Sequence, residues 1–415
     1  MSTTGLPTAT DRRPDGAERL AVWRACGATA DEAAALALYA WSPAQGEAGR
    51  IRRVPFPDPP GAAAWSAYAA EPEPAATLTR VLVQLSFPVA AGTSERTEYH
   101  TATRRGLLPQ DRPPGVRFVR PEGLRIFLHP TPAGRVPVVL AADRADFETL
   151  VQAVVHRNEP VPIPASMGAC MIAGYNNWDR VAGLRREWER RPDRPGETWD
   201  DAFVRLVPQK ELYQDRFMLL SSGPYSAVSA RRLGLPEDAW RAASIRLRLE
   251  HECTHYFTRQ AFGAMRKSLL DELVADYMGS IEAFGDFHAE RFLLFMGLEG
   301  ATYREGGRLQ NYRGDPPLSE GAFAILQPVA RRAARALELL ALPARLGPFG
   351  VAAKARVVTA LTRVGLEGLA QEDAGRRVAT ALAEASAVIL PDAEEAAGKD
   401  AGRAPRRPRE SSTRR

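Results

Sequence analysis

Short apolar alternations occupy the first part of this chain, and longer runs with apolar residues every three to four positions occupy the rest. The first pattern is that of strands and the second that of amphipathic helices. The chain therefore reads as α+β, a mixed N-terminal region with short strands followed by a mainly helical region. Thr29-Ala-Asp-Glu32 has the form of a capping box and predicts an Ala-rich helix running to about Trp41. Pro55 to Pro74 is proline-rich and predicts a loop. Thr77–Val89 and Val116–Val119 predict strands, and Leu124–Leu128 with Val136–Leu140 predict a hairpin around Pro130-Thr-Pro-Ala-Gly134. Asp146 to His156 returns to the helical period, with His156 a structural residue at a helix C-terminus. Arg216–Leu220 predicts one more strand and Ser221-Ser222-Gly223-Pro224 a turn after it.

From Pro236 to Phe262 the pattern is that of one long helix, with no further Gly or Pro before Gly263. Winding it places Trp240, Ser244, Leu247, His251, His255, Thr258 and Phe262 on one stripe, with Ile245, Leu249, Cys253 and Phe257 beside it. Arg241, Arg248, Glu252 and Arg259 form the polar edge. Ser268-Leu-Leu-Asp271 then opens a second helix like a capping box, after a turn, Gly263 to Lys267, that must be tight. Glu272 and Asp276 lie one turn apart on its face, and Gly279 and Ala283 continue that stripe with side chains small enough for close helix contact. Ser319–Leu342 and Ala352–Leu369 predict further helices that pack behind this pair, and no fixed-period repeat is present.

The chemistry is concentrated in His251-Glu252-Cys253-Thr254-His255. Two imidazoles four residues apart on a helix reach a single Zn²⁺ at roughly 2.0–2.1 Å, and the carboxylate beside them is left to handle protons. Of the residues around the motif, Leu249, Cys253, Thr254, Tyr256 and Phe257 are uncharged, and Arg248 sits oddly among them. Glu272 is placed as a third ligand, and Asp276 to accept the second ring N–H of His251. Three protein ligands leave a fourth position for water, whose pKa Zn²⁺ lowers towards about 7.

The pair of motifs, HExxH followed on the next helix by Glu272-Leu-Val-Ala-Asp276, resembles the gluzincin metallopeptidases, the group that includes thermolysin. The resemblance covers about residues 236–285. It implies that His251, His255 and Glu272 are zinc ligands, Glu252 the general base and Asp276 the partner that orients a ligand. It also implies a zincin-like region spanning 159–392. Sixteen residues separate His255 from Glu272, fewer than is usual in the group, and neither an exopeptidase motif nor a counterpart of the downstream catalytic His is present, so endo- and exo-specificity stay open. Thr258 and Ala261 stand where a metzincin has its Gly and third His.

A donor for the tetrahedral oxyanion is expected from the Gly-rich stretch Gly300–Arg313, with Tyr303 or Tyr312 first and His288 next, the latter also an alternative ligand. Residues 159–179 combine prolines, small residues and Tyr175-Asn-Asn-Trp178. They suit either a substrate-binding wall or a packed crossover whose Asn side chains bond local backbone. The strand at Arg216–Leu220 is a candidate edge for pairing with an extended peptide.

Composition narrows the setting. The net charge of +5 lies in the tail, where Lys399, Arg403, Arg406, Arg407, Arg409, Arg414 and Arg415 face only Asp400 and Glu410. The body of the protein is formally neutral, which argues against a nucleic-acid partner, and no stretch approaches the roughly 18 apolar residues of a membrane helix. Three widely spaced cysteines, Cys26, Cys170 and Cys253, give no disulfide framework, and the N-terminus has no apolar signal segment, so cytoplasm is the expected location. The expected organisation is a disordered 1–17, a mixed region 18–158, the helical region 159–392 and a disordered basic tail 393–415. The expected function is zinc-dependent hydrolysis of peptide bonds in a peptide or protein substrate. Two alternatives stand beside it: a non-catalytic interaction module with a structural metal or none, and a zinc hydrolase of a small non-peptide amide.

Overall fold

A computed structural model describes residues 16–42, 51, 53–111, 114–191, 196–263, 268–342 and 349–391. In chain order the elements are α1 (Gly16–Ala25), α2 (Ala30–Ala40), β1 (Arg53–Val54), α3 (Ala62–Ala70), α4 (Pro74–Val81), α5 (Thr97–Arg105), β2 (Leu124–Thr131), β3 (Gly134–Ala141), α6 (Arg144–Val154), β4 (Ala169–Asn176), α7 (Trp178–Glu189), α8 (Trp199–Leu206) and β5 (Gln214–Ser221). Then follow α9 (Ala230–Leu233), α10 (Glu237–Phe262), α11 (Leu269–Phe284), α12 (Ala289–Met296), α13 (Glu320–Leu340), α14 (Val351–Leu369), α15 (Ala374–Val388) and β6 (Leu390–Pro391). The fold is α+β with a mainly helical C-terminal part, as the periodicities require.

Four strands form the main sheet in the order β2-β3-β5-β4. The hairpin forms because Thr131 closes it: its hydroxyl donates to the Gly134 carbonyl at 2.6 Å and accepts from the Ala133 N–H at 3.0 Å. β5 then runs parallel to β3 and antiparallel to β4. It is buried on both faces, which is why Phe217–Leu220 reads as a continuous apolar run. Phe217 and Leu219 pack with Trp65, Leu78, Phe147 and Leu150 of the helices on one side. Met218 and Leu220 pack with Leu249, Cys253 and Phe257 of α10 on the other. The sheet thus carries the long helix on one face, and α11, α13 and α14 complete the core behind it.

Several expectations are corrected. Thr77–Val89 is not a strand: Pro74 starts a helix there, and Leu78, Val81, Leu82 and Leu85 are buried at helical spacing. Val116–Val119 forms no ladder, because the Val116 N–H bonds the Leu85 carbonyl and Asp146 takes the N–H groups of Val119 and Arg120. The proline-rich Pro55–Pro74 contains α3, anchored by Trp65, whose indole N–H donates to Asp215 at 2.8 Å. Arg216–Leu220 lies in β5, a central strand, so the free edge on that side is β4. The boundary between residues 158 and 159 runs through this sheet, which takes β2 and β3 from one side of it and β4 and β5 from the other. Gly16 and Ala17 already belong to α1, while residues 1–15, the 264–267 turn and the 393–415 tail lie outside the described residues.

Within 159–179 the structure divides the labour. Tyr175 donates to Gln84 at 2.6 Å, and Asn177 caps α7 by accepting the Arg180 N–H while its amide donates to Asp215 at 2.7 Å. Gly168, just before β4, lies against α10: a Cβ there would stand 2.3 Å from the Arg248 guanidinium.

Candidate metal centre

The site is built on α10 and α11. α10 starts after Pro236, and its register is pinned by three of its side chains. Trp240 donates its indole N–H to the Val228 carbonyl at 2.7 Å, Ser244 accepts the Tyr225 N–H at 3.0 Å, and Arg248 donates to the carbonyls of Ser221, Gly223 and Pro224 at 2.7, 3.0 and 3.2 Å. Arg248 was expected on the solvated edge; it is buried instead, because those three carbonyls at the exit of β5 need a donor. Burial lowers its guanidinium to about 10. The rest of the winding holds, with Trp240, Ser244, Leu247, His251, His255, Thr258 and Phe262 all buried on one stripe.

α11 begins differently from its expected capping box. The Ser268 hydroxyl goes to the Asp271 carboxylate at 3.2 Å and caps no backbone N–H. Tyr39, arriving from α2, accepts the Leu269 N–H at 2.7 Å in its place. Further along, Gly279 lets the two helices touch: a Cβ there would lie 2.5 Å from the Leu247 carbonyl oxygen.

This approach brings His251, His255 and Glu272 together. His255 Nε2 lies 3.0 Å from His251 Nε2 and 3.3 Å from Glu272 Oε1, and His251 Nε2 lies 3.5 Å from Glu272 Oε2. A tetrahedral ion with bonds of about 2.0–2.1 Å holds its ligand atoms roughly 3.3 Å apart, so the triangle has the right size. Glu272 Oε2 is buried and has no hydrogen-bond partner, which leaves it a free ligand atom. Two imidazole nitrogens 3.0 Å apart beside a buried carboxylate call for positive charge between them, supplied by a shared proton or by a metal ion. The surrounding carboxylates express the same demand: burial alone would disfavour the His255 imidazolium, yet Glu272 pushes that ring up to about 9. This buried His-His-Glu group can hold a metal ion.

Asp276 takes the position expected of it, 2.7 Å from His251 Nδ1. Burial would raise its carboxyl, but Arg308 and His251 hold it below the ordinary carboxylate range. Glu252 is half-buried and faces β4: burial and then the Glu252 charge push the Cys170 thiol of that strand up to about 11.

The two tyrosines separate. Tyr312 reaches the site, where its hydroxyl faces the Glu272 carboxylate, and burial holds its phenol well above the ordinary range. Tyr303 does not join it: its hydroxyl donates to the Gly307 carbonyl at 2.6 Å and its ring packs edge-on to Phe323. His288 is half exposed and pairs with Asp286 and Glu338 at the surface. Neither is placed as a donor or a ligand.

Two residues at the centre carry no motif. Tyr225 puts its hydroxyl 2.5 Å from Asp276 Oδ1 and 2.9 Å from His251 Nδ1, and Arg308 pairs with Asp276 Oδ2. The nearest sequence signal was Arg248, a charge beside the motif, which bonds the turn that Tyr225 occupies.

Fold and site together define an α+β protein with a buried His-His-Glu group, able to hold a metal ion, on two adjacent helices. The chain belongs to the family of unknown function DUF7005, whose profile matches residues 21–373. No curated protein and no solved structure matches it. Among the described residues, no helix is long and apolar enough to cross a membrane.

Proposed function

We propose that the protein is a zinc-dependent hydrolase of peptide or other amide bonds, with His251, His255 and Glu272 as ligands and Glu252 as general base. The observation that carries this reading is the close grouping of two Nε2 atoms and the two oxygens of the Glu272 carboxylate, 3.0–3.5 Å apart and sized for one tetrahedral ion. A structural zinc is closed by four protein ligands, whereas among the described residues this group has three His, Cys, Asp or Glu members. Zinc held there supplies Lewis acidity, polarising a carbonyl and favouring hydroxide near neutral pH.

The chain supplies the rest. Glu252, next to His251 in sequence, takes a proton from the attacking water and returns it to the leaving amine. Asp276 accepts the Nδ1–H of His251 and so keeps the Nε2 lone pair directed at the ion. The Tyr312 phenol, kept neutral by burial and facing Glu272, is the donor assigned to the developing oxyanion. β4, the free edge beside Glu252, offers unpaired backbone to an extended substrate.

One observation favours a smaller substrate. His251, His255 and Glu272 are only 6, 9 and 4% exposed, a burial that suits a small substrate. A small non-peptide amide is therefore the second reading.

The test is metal content by elemental analysis of wild type, Glu272→Ala and Glu252→Gln, followed by screens against a peptide library and a panel of small amides. About one zinc per chain is expected, lost in Glu272→Ala and kept in Glu252→Gln, with hydrolysis reduced in Glu252→Gln by roughly 10²–10⁴-fold. Folded wild type without zinc, or Glu252→Gln with full activity, overturns the proposal.

A further inference from the structure

Tyr225 sits on a short 3₁₀ turn, Tyr225–Ala227, between β5 and α9. This turn is costly to hold. Ser226 and Ala227 have φ of 52° and 56°, left-handed values that residues with a Cβ adopt only under constraint. The constraint comes from around the metal centre. Arg248 bonds the carbonyls of Gly223 and Pro224, Ser244 bonds the Tyr225 N–H, and Arg308 donates to the Ser226 hydroxyl at 2.9 Å. The strained turn delivers one group to the interior, the Tyr225 phenol. Its ring is buried edge-on to His251 and Phe295, with the Arg308 and Arg248 guanidiniums 5.1 and 5.6 Å from its centroid.

Proton counting around Asp276 Oδ1 shows what the phenol does. That oxygen lies 2.5 Å from the Tyr225 hydroxyl and 2.7 Å from His251 Nδ1, and those two atoms are 2.9 Å apart. Asp276 pairs through its other oxygen with Arg308 and is therefore an acceptor only. If His251 carried its proton on Nε2, Nδ1 would present a lone pair to a carboxylate oxygen at 2.7 Å, an unfavourable contact. With the proton on Nδ1, both His251 and Tyr225 donate to the same oxygen and nothing is left unmatched. Nε2 then holds the lone pair that faces His255 and Glu272.

We infer that Tyr225 and Arg308 are positioning residues for the metal ligands, clamping Asp276 from both oxygens so that His251 is locked in the one tautomer and orientation that binds metal. Arg308 extends the clamp towards the third ligand, since it also lies 3.7 Å from Glu272 Oε2. Removing the phenol frees Asp276 Oδ1 to rotate away from His251, and removing the guanidinium frees Oδ2. The inference rests on the metal-holding role of the triad but on no particular reaction.

The experiment is Zn²⁺ affinity by chelator competition, and the rate of Zn²⁺ loss to excess chelator, for full-length wild type, Tyr225→Phe and Arg308→Met. The thermal midpoint of each metal-free protein and the visible spectrum of each Co²⁺-loaded protein are measured alongside. Partners of this kind typically account for 10–100-fold in metal affinity. Tyr225→Phe is expected to lose affinity within that range, release Zn²⁺ faster and alter the Co²⁺ spectrum, while its metal-free midpoint stays near wild type. If Tyr225→Phe does not fold, Arg308→Met reads the same clamp from the other oxygen. Wild-type affinity, release rate and spectrum in the folded variants overturn the inference while leaving the metal assignment intact. A wild type that takes up neither Zn²⁺ nor Co²⁺ overturns the metal assignment and the clamp with it.

Discussion

Replacing Gly279 by Ala should abolish metal binding while costing the metal-free fold no more than about 2 kcal/mol. Gly279 lies two turns after Glu272 on α11 and faces Leu247, one turn before His251 on α10. The new Cβ would sit 2.5 Å from the Leu247 carbonyl oxygen, about 0.9 Å inside ordinary contact. Backbone cannot swing aside as a side chain can, so the helices must separate. Overpacking of this kind costs about 1–3 kcal/mol, and the gain of roughly 1 kcal/mol from Gly to Ala in a helix offsets part of it. The net loss in the metal-free protein is then at most about 2 kcal/mol. Metal binding is less forgiving, because ligand distances must fall within about 0.2 Å of their ideal values, and a shift several times that size carries Glu272 out of the triangle. The assay is thermal denaturation with and without zinc. Zinc at 100 times its Kd stabilises a binding-competent fold by about 2.7 kcal/mol. Gly279→Ala should lose that increment. Gly183→Ala on α7, where the nearest atom is an Arg186 nitrogen at 3.8 Å, should keep it and gain about 0.4–1 kcal/mol. A Gly279→Ala protein that retains the full zinc increment would show that the helix contact does not set the ligand geometry.

Two further outcomes follow from buried polar groups around the site. Tyr39→Phe strips the Leu269 N–H and the Tyr312 carbonyl of the hydroxyl that bridges them at 2.7 Å each, so urea unfolding should show a loss of about 1–3 kcal/mol; a loss below 0.5 kcal/mol would mean that α11 has another cap. Lys354, on α14, holds the buried Glu250 of α10 at 2.8 Å and Glu282 of α11 at 3.0 Å, and Lys354→Met should cost about 3–5 kcal/mol at pH 7 by leaving Glu250 buried without its cation. Burial opposes the Glu250 charge, but His129 and Lys354 hold its carboxyl below the ordinary 4.5, so in wild type its contribution is complete above that value and fades as pH falls through the lower folded value. In Lys354→Met one of the two partners of Glu250 is gone and His129, 3.6 Å away, remains, so protonation of Glu250 relieves part of the cost of burying its charge. The deficit relative to wild type should therefore shrink as denaturation is measured from pH 7 down to pH 4, and a deficit constant across that range would refute the assignment.

How much of this was legible depended on whether the cause was local. The Thr29–Glu32 capping box, the β2–β3 hairpin and the long α10 are set by side chains within a few residues of one another, and all three form where expected. The elements misread were those whose backbone partners come from elsewhere. Val116–Val119 alternates like a strand, yet the Leu85 carbonyl claims the Val116 N–H and the Asp146 carboxylate, from a distant helix, that of Val119. Ala62–Ala70 hides in a proline-rich stretch because its anchor is Trp65 on Asp215, 150 residues away. Arg216–Leu220 was read as a strand correctly, but no pattern within it told a central strand from an edge.

The same division runs through the site. Sequence alone determined that His251 and His255 share a face, that Glu272 and Asp276 share another, and that Gly279 would let those faces meet, because a helix turns every 3.6 residues whatever surrounds it. Tertiary structure alone decided that Tyr225 and Arg308 close on Asp276, that Arg248 is buried, and that Tyr312 and not Tyr303 reaches Glu272. Tyr225, Arg308 and Tyr312 come from short 3₁₀ turns, where no long period constrains the direction of a side chain, and Arg248 is drawn inward from the polar edge of α10 by carbonyls of another segment. Their positions follow from which carbonyls and carboxylates the packed helices leave in need of a donor.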